Sequence, residues 1–113
     1  MHELSLCQNV LDILEAEAVL QGFQRVQRVV LEIGELAGVE PDALRFGFSA
    51  VMRDTLAAHA TLEILERPGE AWCNTCRCTM VVHSRCDACP RCGGYGLQVT
   101  GGTEMRVREL DVE

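Results

Sequence analysis

The sequence predicts an α+β fold: a small sheet packed by two helices, with a cysteine-rich module inserted before the last strand. Three observations predict it. Residues 4–21 and 41–55 repeat apolar side chains every three or four positions, the period of a helix with one buried stripe. Residues 25–33 and 60–66 alternate apolar and polar side chains, as a strand with one buried face does. Six of the seven cysteines then crowd between Cys73 and Cys92, a stretch with no helical period.

In the first helix, Leu4, Cys7, Val10 or Leu11, Leu14 and Ala18 form the stripe, with Ser5 as N-cap and Gly22 as stop. Met1, His2 and Glu3 are then expected just outside it. In the first strand, Val29, Leu31 and Ile33 face one way and Arg28, Val30 and Glu32 the other; Gly34 and Gly38 bracket the following turn. Glu40-Pro41-Asp42 opens the second helix, with Pro41 at its first position and acids near the positive end of the dipole. Leu44, Phe48 and Val51 supply its buried stripe, which is expected to reach about Thr55. The second strand ends at Pro68-Gly69, a module boundary. Residues 79–82 and 97–100 are short strand candidates, Gly101-Gly102 is the exit hinge, and 105–112 is the last strand. Its apolar phase breaks between Val107 and Leu110, which points to a bulge or a change of partner. Residues 1–68 plus 103–113 therefore make one discontinuous α+β domain, and 69–102 make the module.

Composition narrows the function. At 113 residues and 48% hydrophobic the chain has enough apolar material for a core, and with 4% aromatics that core is aliphatic. The net charge of −7 disfavours nucleic acid as a partner. No apolar run reaches the length of a membrane span. An odd cysteine count and an amino terminus without a basic leader point to a reducing, cytoplasmic setting rather than a disulfide scaffold. A monomer and a homodimer are both compatible with this composition. No Ser-His-Asp set, glycine-rich phosphate loop or carboxylate pair appears, so the chain does not read as an enzyme.

Cys73-Asn74-Thr75-Cys76 and Cys89-Pro90-Arg91-Cys92-Gly93 have the layout of a tetrahedral four-thiolate site. Each Cys-x-x-Cys is a tight turn that aims two sulfurs at one point, and Gly93 supplies a positive φ on leaving it. A module this small lacks a core of its own, so Zn(II) is expected in a structural, zinc-ribbon-like role. Iron is the alternative metal. Cys86-Asp87-Ala88-Cys89 is a competing pair, and three cysteines plus His83 a competing set. Cys7 reads as a core residue, Cys78 and Cys86 as bystanders, His59 as a loop residue, and Trp72 as packing on the module.

The second candidate site is the amino terminus. A terminal amine, the deprotonated amide and imidazole Nδ1 of His2, and the Glu3 amide make a square-planar nitrogen set, which favours Ni(II) or Cu(II) over zinc. The bland alternative is a frayed terminal histidine.

The opening Met1-His2-Glu3-Leu4-Ser5-Leu6-Cys7, the Leu31-Glu32-Ile33-Gly34 strand end and the paired Cys-x-x-Cys turns together resemble the HypA/HybF family across the whole chain. The resemblance implies a nickel metallochaperone that holds Ni(II) at Met1, His2 and Glu3 and delivers it for [NiFe]-hydrogenase maturation. It implies Zn(II) at Cys73, Cys76, Cys89 and Cys92, and places Glu40 near the nickel. The implied partners are a HypB-type nickel GTPase and the hydrogenase large-subunit precursor; some relatives also serve urease. Cys78 and Cys86 depart from the family's four cysteines. The competing readings are a zinc-ribbon interaction module without a nickel role and a rubredoxin-like iron protein.

Overall fold

The computed structural model describes residues 2–113, so Met1 and its expected role as a nickel ligand lie outside the described residues. The chain forms two units. Unit 1 comprises Met1–Leu31, Val39–Leu65 and Arg106–Glu113, and unit 2 comprises Glu32–Gly38 and Glu66–Met105. The elements in chain order are α1 (His2–Gln21), β1 (Val26–Gly34), a 3-10 turn (Glu35–Ala37), α2 (Pro41–Val51), β2 (Thr61–Arg67), β3 (Gly69–Cys73), β4 (Cys78–Val82), β5 (Gln98–Gly101) and β6 (Met105–Val112). They form the expected α+β class, but with two three-stranded sheets, ordered β2-β1-β6 and β4-β3-β5.

In unit 1, α1 starts earlier than expected. His2 and Glu3 are helical and Ser5 is inside the helix rather than at its cap. The first turn has a tertiary contact: the Glu3 carboxylate accepts from the Glu40 N–H, at the start of α2, at 3.4 Å. An acid in the first turn also suits the helix dipole. Cys7, Val10, Leu11 and Leu14 are buried as the stripe requires, whereas Leu4 is 38% exposed. Gly22, at φ 77°, ends the helix.

Glu40 caps α2 by accepting from Asp42 N, and Pro41 occupies the first helical position as expected. The helix stops at Val51, short of Thr55. There the Thr55 hydroxyl donates to Met52 O and accepts from Ala57 N, and Asp54 takes a left-handed φ of 62°, so the backbone turns instead of continuing. Leu44 and Phe48 are buried, and Gly47 lets α1 approach closely: a Cβ there would lie 3.3 Å from Cys7 Sγ.

β1 is the central strand of its sheet. Val29, Leu31 and Ile33 are buried as the alternation requires, but Val30 is buried as well, at 3% exposure. Side chains two apart share a face, so Arg28 stands on the Val30 side. Its guanidinium bonds Glu63 of β2 and Glu109 and Asp111 of β6, the last two at 2.9 and 3.3 Å.

In unit 2, β3 was not expected as a strand. It pairs antiparallel with β4 from Gly69↔Val82 to Cys73↔Cys78, and with β5 through a register shift between Glu70 and Ala71. Leu36 of the 3-10 turn joins Ala71 and Val82 in a small core, with Leu97 and Val99 against it. Gly34, Gly69 and Gly102 meet backbone to backbone, and a Cβ on Gly34 would lie 2.1 Å from the Gly102 carbonyl. Gly34 N donates to Glu104 O and Leu36 N to Gly102 O, both at 2.8 Å.

Candidate metal centre

Two turns of the same construction bring four sulfurs together. In the first, Cys76 N donates to Cys73 Sγ at 3.4 Å and Arg77 N to Cys73 O at 2.7 Å; in the second, Cys92 N donates to Cys89 Sγ at 3.5 Å and Gly93 N to Cys89 O at 2.8 Å. Both leave through a left-handed residue, Arg77 at φ 55° and Gly93 at φ 72°. The second was foreseen from glycine. The first was not, because arginine carries no such signal.

Cys73 Sγ lies 3.8 Å from Cys92 Sγ, and Cys76 Sγ 3.8 Å from Cys89 Sγ; all four sulfurs lie within 4.8 Å of one another. A tetrahedral zinc site with Zn–S near 2.3 Å has edges of about 3.8 Å, so the donor set fits that ion. The acid–base chemistry agrees. N–H groups of Cys92 and Arg91 hold the Cys89 thiol down at about 6, while burial and the neighbouring thiols push Cys76 up to about 12. Four adjacent thiols ionise together only when a cation compensates their charge.

The competing ligands lie elsewhere. His83 is 74% exposed in its side chain and bonds Glu35 Oε1 at 2.9 Å through Nδ1. Cys86 is exposed, with its N–H donating to Ser84 Oγ. Cys78 is half-buried against the cluster but is not one of the four. Trp72 is half-buried, and its indole N–H donates to Asn74 Oδ1 at 2.9 Å within the first turn. Two neighbours had no sequence signal: Met80, whose sulfur lies 3.2 Å from Cys89 Sγ, and Arg91, whose Nη1 donates to Cys78 Sγ at 3.5 Å. Cys7 is wholly buried, and burial raises its thiol to about 11, as befits a core residue rather than a ligand.

The amino-terminal residues stand on unit 1. His2 is exposed at the head of α1 and Glu3 half-buried. Hydrogen bonds to backbone N–H groups, its own and that of Glu40, hold the Glu3 carboxyl below its ordinary range. Glu40 thus comes beside Glu3. No helix among the described residues is long and apolar enough to cross a membrane.

Comparison with known proteins places these features in context. The family described as hydrogenase/urease nickel incorporation, metallochaperone, HypA matches residues 1–112. A hydrogenase maturation factor HypA of Alkalilimnicola ehrlichii is 58% identical over 113 residues, covering 100% of both chains. One from Rhodopseudomonas palustris is 54% identical with the same coverage. The solution structure of the Ni metallochaperone HypA from Helicobacter pylori superposes with a TM-score of 0.71 at 23% identity, covering 97% of this chain and 96% of that one. A second HypA solution structure gives 0.72 at 24% identity, covering 100% and 97%.

Proposed function

This chain belongs to the HypA family of hydrogenase/urease nickel-incorporation metallochaperones, and from that premise we propose that it binds Ni(II) at its amino terminus and delivers it for [NiFe]-hydrogenase maturation. The observation that carries the reading is an exposed His2 at the head of α1, in a chain that matches the family from end to end. The first N–H groups of a helix have no acceptor within it. The amides of His2 and Glu3 therefore belong to no helical ladder, and with the Met1 amine and His2 Nδ1 they make a square-planar nitrogen set suited to Ni(II). The Glu3 carboxylate serves a different purpose: it ties this turn to α2 through Glu40.

Nickel is cargo here, so the site has to release it. A nitrogen site beside the exposed His2 would be within reach of a partner's competing ligands. The partners that fit are a HypB-type nickel GTPase and the hydrogenase large-subunit precursor. Cys73, Cys76, Cys89 and Cys92 hold Zn(II), which supplies four metal–thiolate bonds to a module with only a small apolar core. With every position taken by sulfur, this centre has no open site for substrate.

The test is calorimetric titration of Ni(II) into the full chain. His2→Ala is expected to lose nickel binding, as is an amino-terminal tag that abolishes the free amine. Nickel binding by H2A at wild-type strength sinks the reading in favour of a zinc-ribbon interaction module. Metal analysis of the purified chain is expected to give one colourless zinc; a coloured iron centre instead makes it a rubredoxin-like protein.

A further inference from the structure

The chain carries a fifth thiol at its four-sulfur centre, and the β3–β4 register says what that thiol meets. Cys73 and Cys78 are directly paired positions of antiparallel strands. Side chains at paired positions point to the same face with Cβ atoms about 4.5–5.5 Å apart, and a disulfide needs Cα atoms about 4.4–6.8 Å apart. Cys78 also packs against the cluster that contains Cys73, Met80 and Cys89. It is not one of the four converging sulfurs, so its lone pairs are not committed to a metal. It is half-buried, hence reachable by a small oxidant, and Arg91 Nη1 lies 3.5 Å from its sulfur.

We infer that Cys78 is a peroxide-oxidation site whose product is a Cys73–Cys78 disulfide, which unloads the metal from the four-cysteine centre. The inference rests on the reading of Cys73, Cys76, Cys89 and Cys92 as a metal site. In the first step, Cys78 sulfur attacks hydrogen peroxide. An S–O bond forms, the O–O bond breaks, and the hydroxide that leaves beside the Arg91 cation takes up the Cys78 thiol proton. Cys78 is oxidised to the sulfenic acid and the peroxide is reduced to water. In the second step, the Cys73 thiolate attacks Cys78 Sγ. The S–S bond forms, the S–O bond breaks, and the departing hydroxide takes a proton from solvent to become a second water. Cys73 is then no longer a thiolate, and three sulfurs remain where a closed structural site uses four. Cys86 is not among the paired positions of β3 and β4. It is exposed beside Ser84 and absent from the cluster.

The experiment treats the full, zinc-loaded chain with hydrogen peroxide. It follows zinc release with a chromophoric chelator and maps disulfides by mass spectrometry. Metal content before peroxide tests the metal reading by itself. A chain without zinc overturns that reading, whereas disulfide mapping decides the inference on a loaded chain. The wild type is expected to give the Cys73–Cys78 disulfide in step with zinc release. Cys78→Ser is expected to retain its zinc at the outset and release it about tenfold more slowly, having lost the paired intramolecular thiol; Cys86→Ser is expected to behave as wild type. Zinc release from C78S at the wild-type rate, a block by C86S in its place, or a mapped Cys73–Cys92 or Cys76–Cys89 disulfide as the first product overturns the proposal.

Discussion

Replacing Gly34 with alanine sets two effects of opposite sign against each other. Gly34 sits at φ −74° and ψ 141°, ordinary extended backbone. On backbone grounds alone, alanine there restricts the unfolded chain and stabilises by about 0.4–1 kcal/mol. The added Cβ, however, lies 2.1 Å from both the carbonyl carbon and oxygen of Gly102, where ordinary contact begins at 3.4 Å. The two segments have to part by the difference, 1.3 Å. Gly102 has little room to yield, because its own Cβ position is already 2.5 Å from Pro68 O and 2.6 Å from Gly69 Cα. Parting by that much breaks the 2.8 Å bonds from Gly34 N to Glu104 O and from Leu36 N to Gly102 O. Each bond is worth about 0.5–1.5 kcal/mol, and overpacking adds about 1–3 kcal/mol. The contact therefore outweighs the entropy, and G34A is expected to destabilise by roughly 2–5 kcal/mol. The assay is urea unfolding of metal-loaded protein followed by far-UV circular dichroism. With an m-value near 2 kcal/mol/M, the midpoint falls by about 1–2.5 M. Gly38→Ala, at a left-handed φ of 72° but in open space, is the comparison and costs only about 1 kcal/mol. A G34A protein as stable as wild type, or one less damaged than G38A, refutes the reasoning.

The two cysteine turns give a paired expectation: R77G relieves a left-handed non-glycine residue and is neutral to stabilising by about 1 kcal/mol, while G93A costs about 1–2 kcal/mol in thermal or urea unfolding. Gly47→Ala gains about 1 kcal/mol of helix propensity against two 3.3 Å contacts, one of them the flexible end of Leu4, so its net change in unfolding free energy is expected within about 1 kcal/mol of zero. The Glu3 carboxyl has a lowered folded value, so its contribution is present above its ordinary pKa and is lost as pH falls through the lowered one. Glu3→Gln is therefore expected to lower stability at neutral pH and to converge on wild type at acid pH, which flattens the acid limb of the stability–pH curve; an identical neutral stability and acid limb in E3Q removes Glu3 from that account.

What was legible in the sequence was whatever a short window could hold. The buried face of α1 from Cys7 to Leu14 follows from a three-to-four-residue period, and the Val29-Leu31-Ile33 face of β1 from strict alternation. Pro41 marked the start of α2, and the two Cys-x-x-Cys pairs named the four sulfurs that meet. Each is a local rule, set by helix pitch, strand pleat, a fixed φ or a two-residue turn, and local rules act before the chain folds.

Distant partners decided the rest. The first turn of α1 reaches His2, and its Glu3 meets the Glu40 N–H 37 residues away. Val30 is buried although it falls on the polar side of the alternation, in a central strand whose Arg28 gathers acids from β2 and β6. β3 became a strand by pairing on both edges, with no pattern of its own to announce it. Cys78 read as a bystander because only the register puts it opposite Cys73. By itself, then, the sequence determined the α+β class and offered the Cys73-Cys76 and Cys89-Cys92 turns, since both are local patterns; that Cys86, at the same spacing from Cys89, stays outside the four-cysteine centre was decided in space. The glycine contacts at Gly34, Gly69 and Gly102, the neighbours of the sulfurs and the company of Glu3 were left to the tertiary structure, because each depends on a separation in space that no spacing along the chain records.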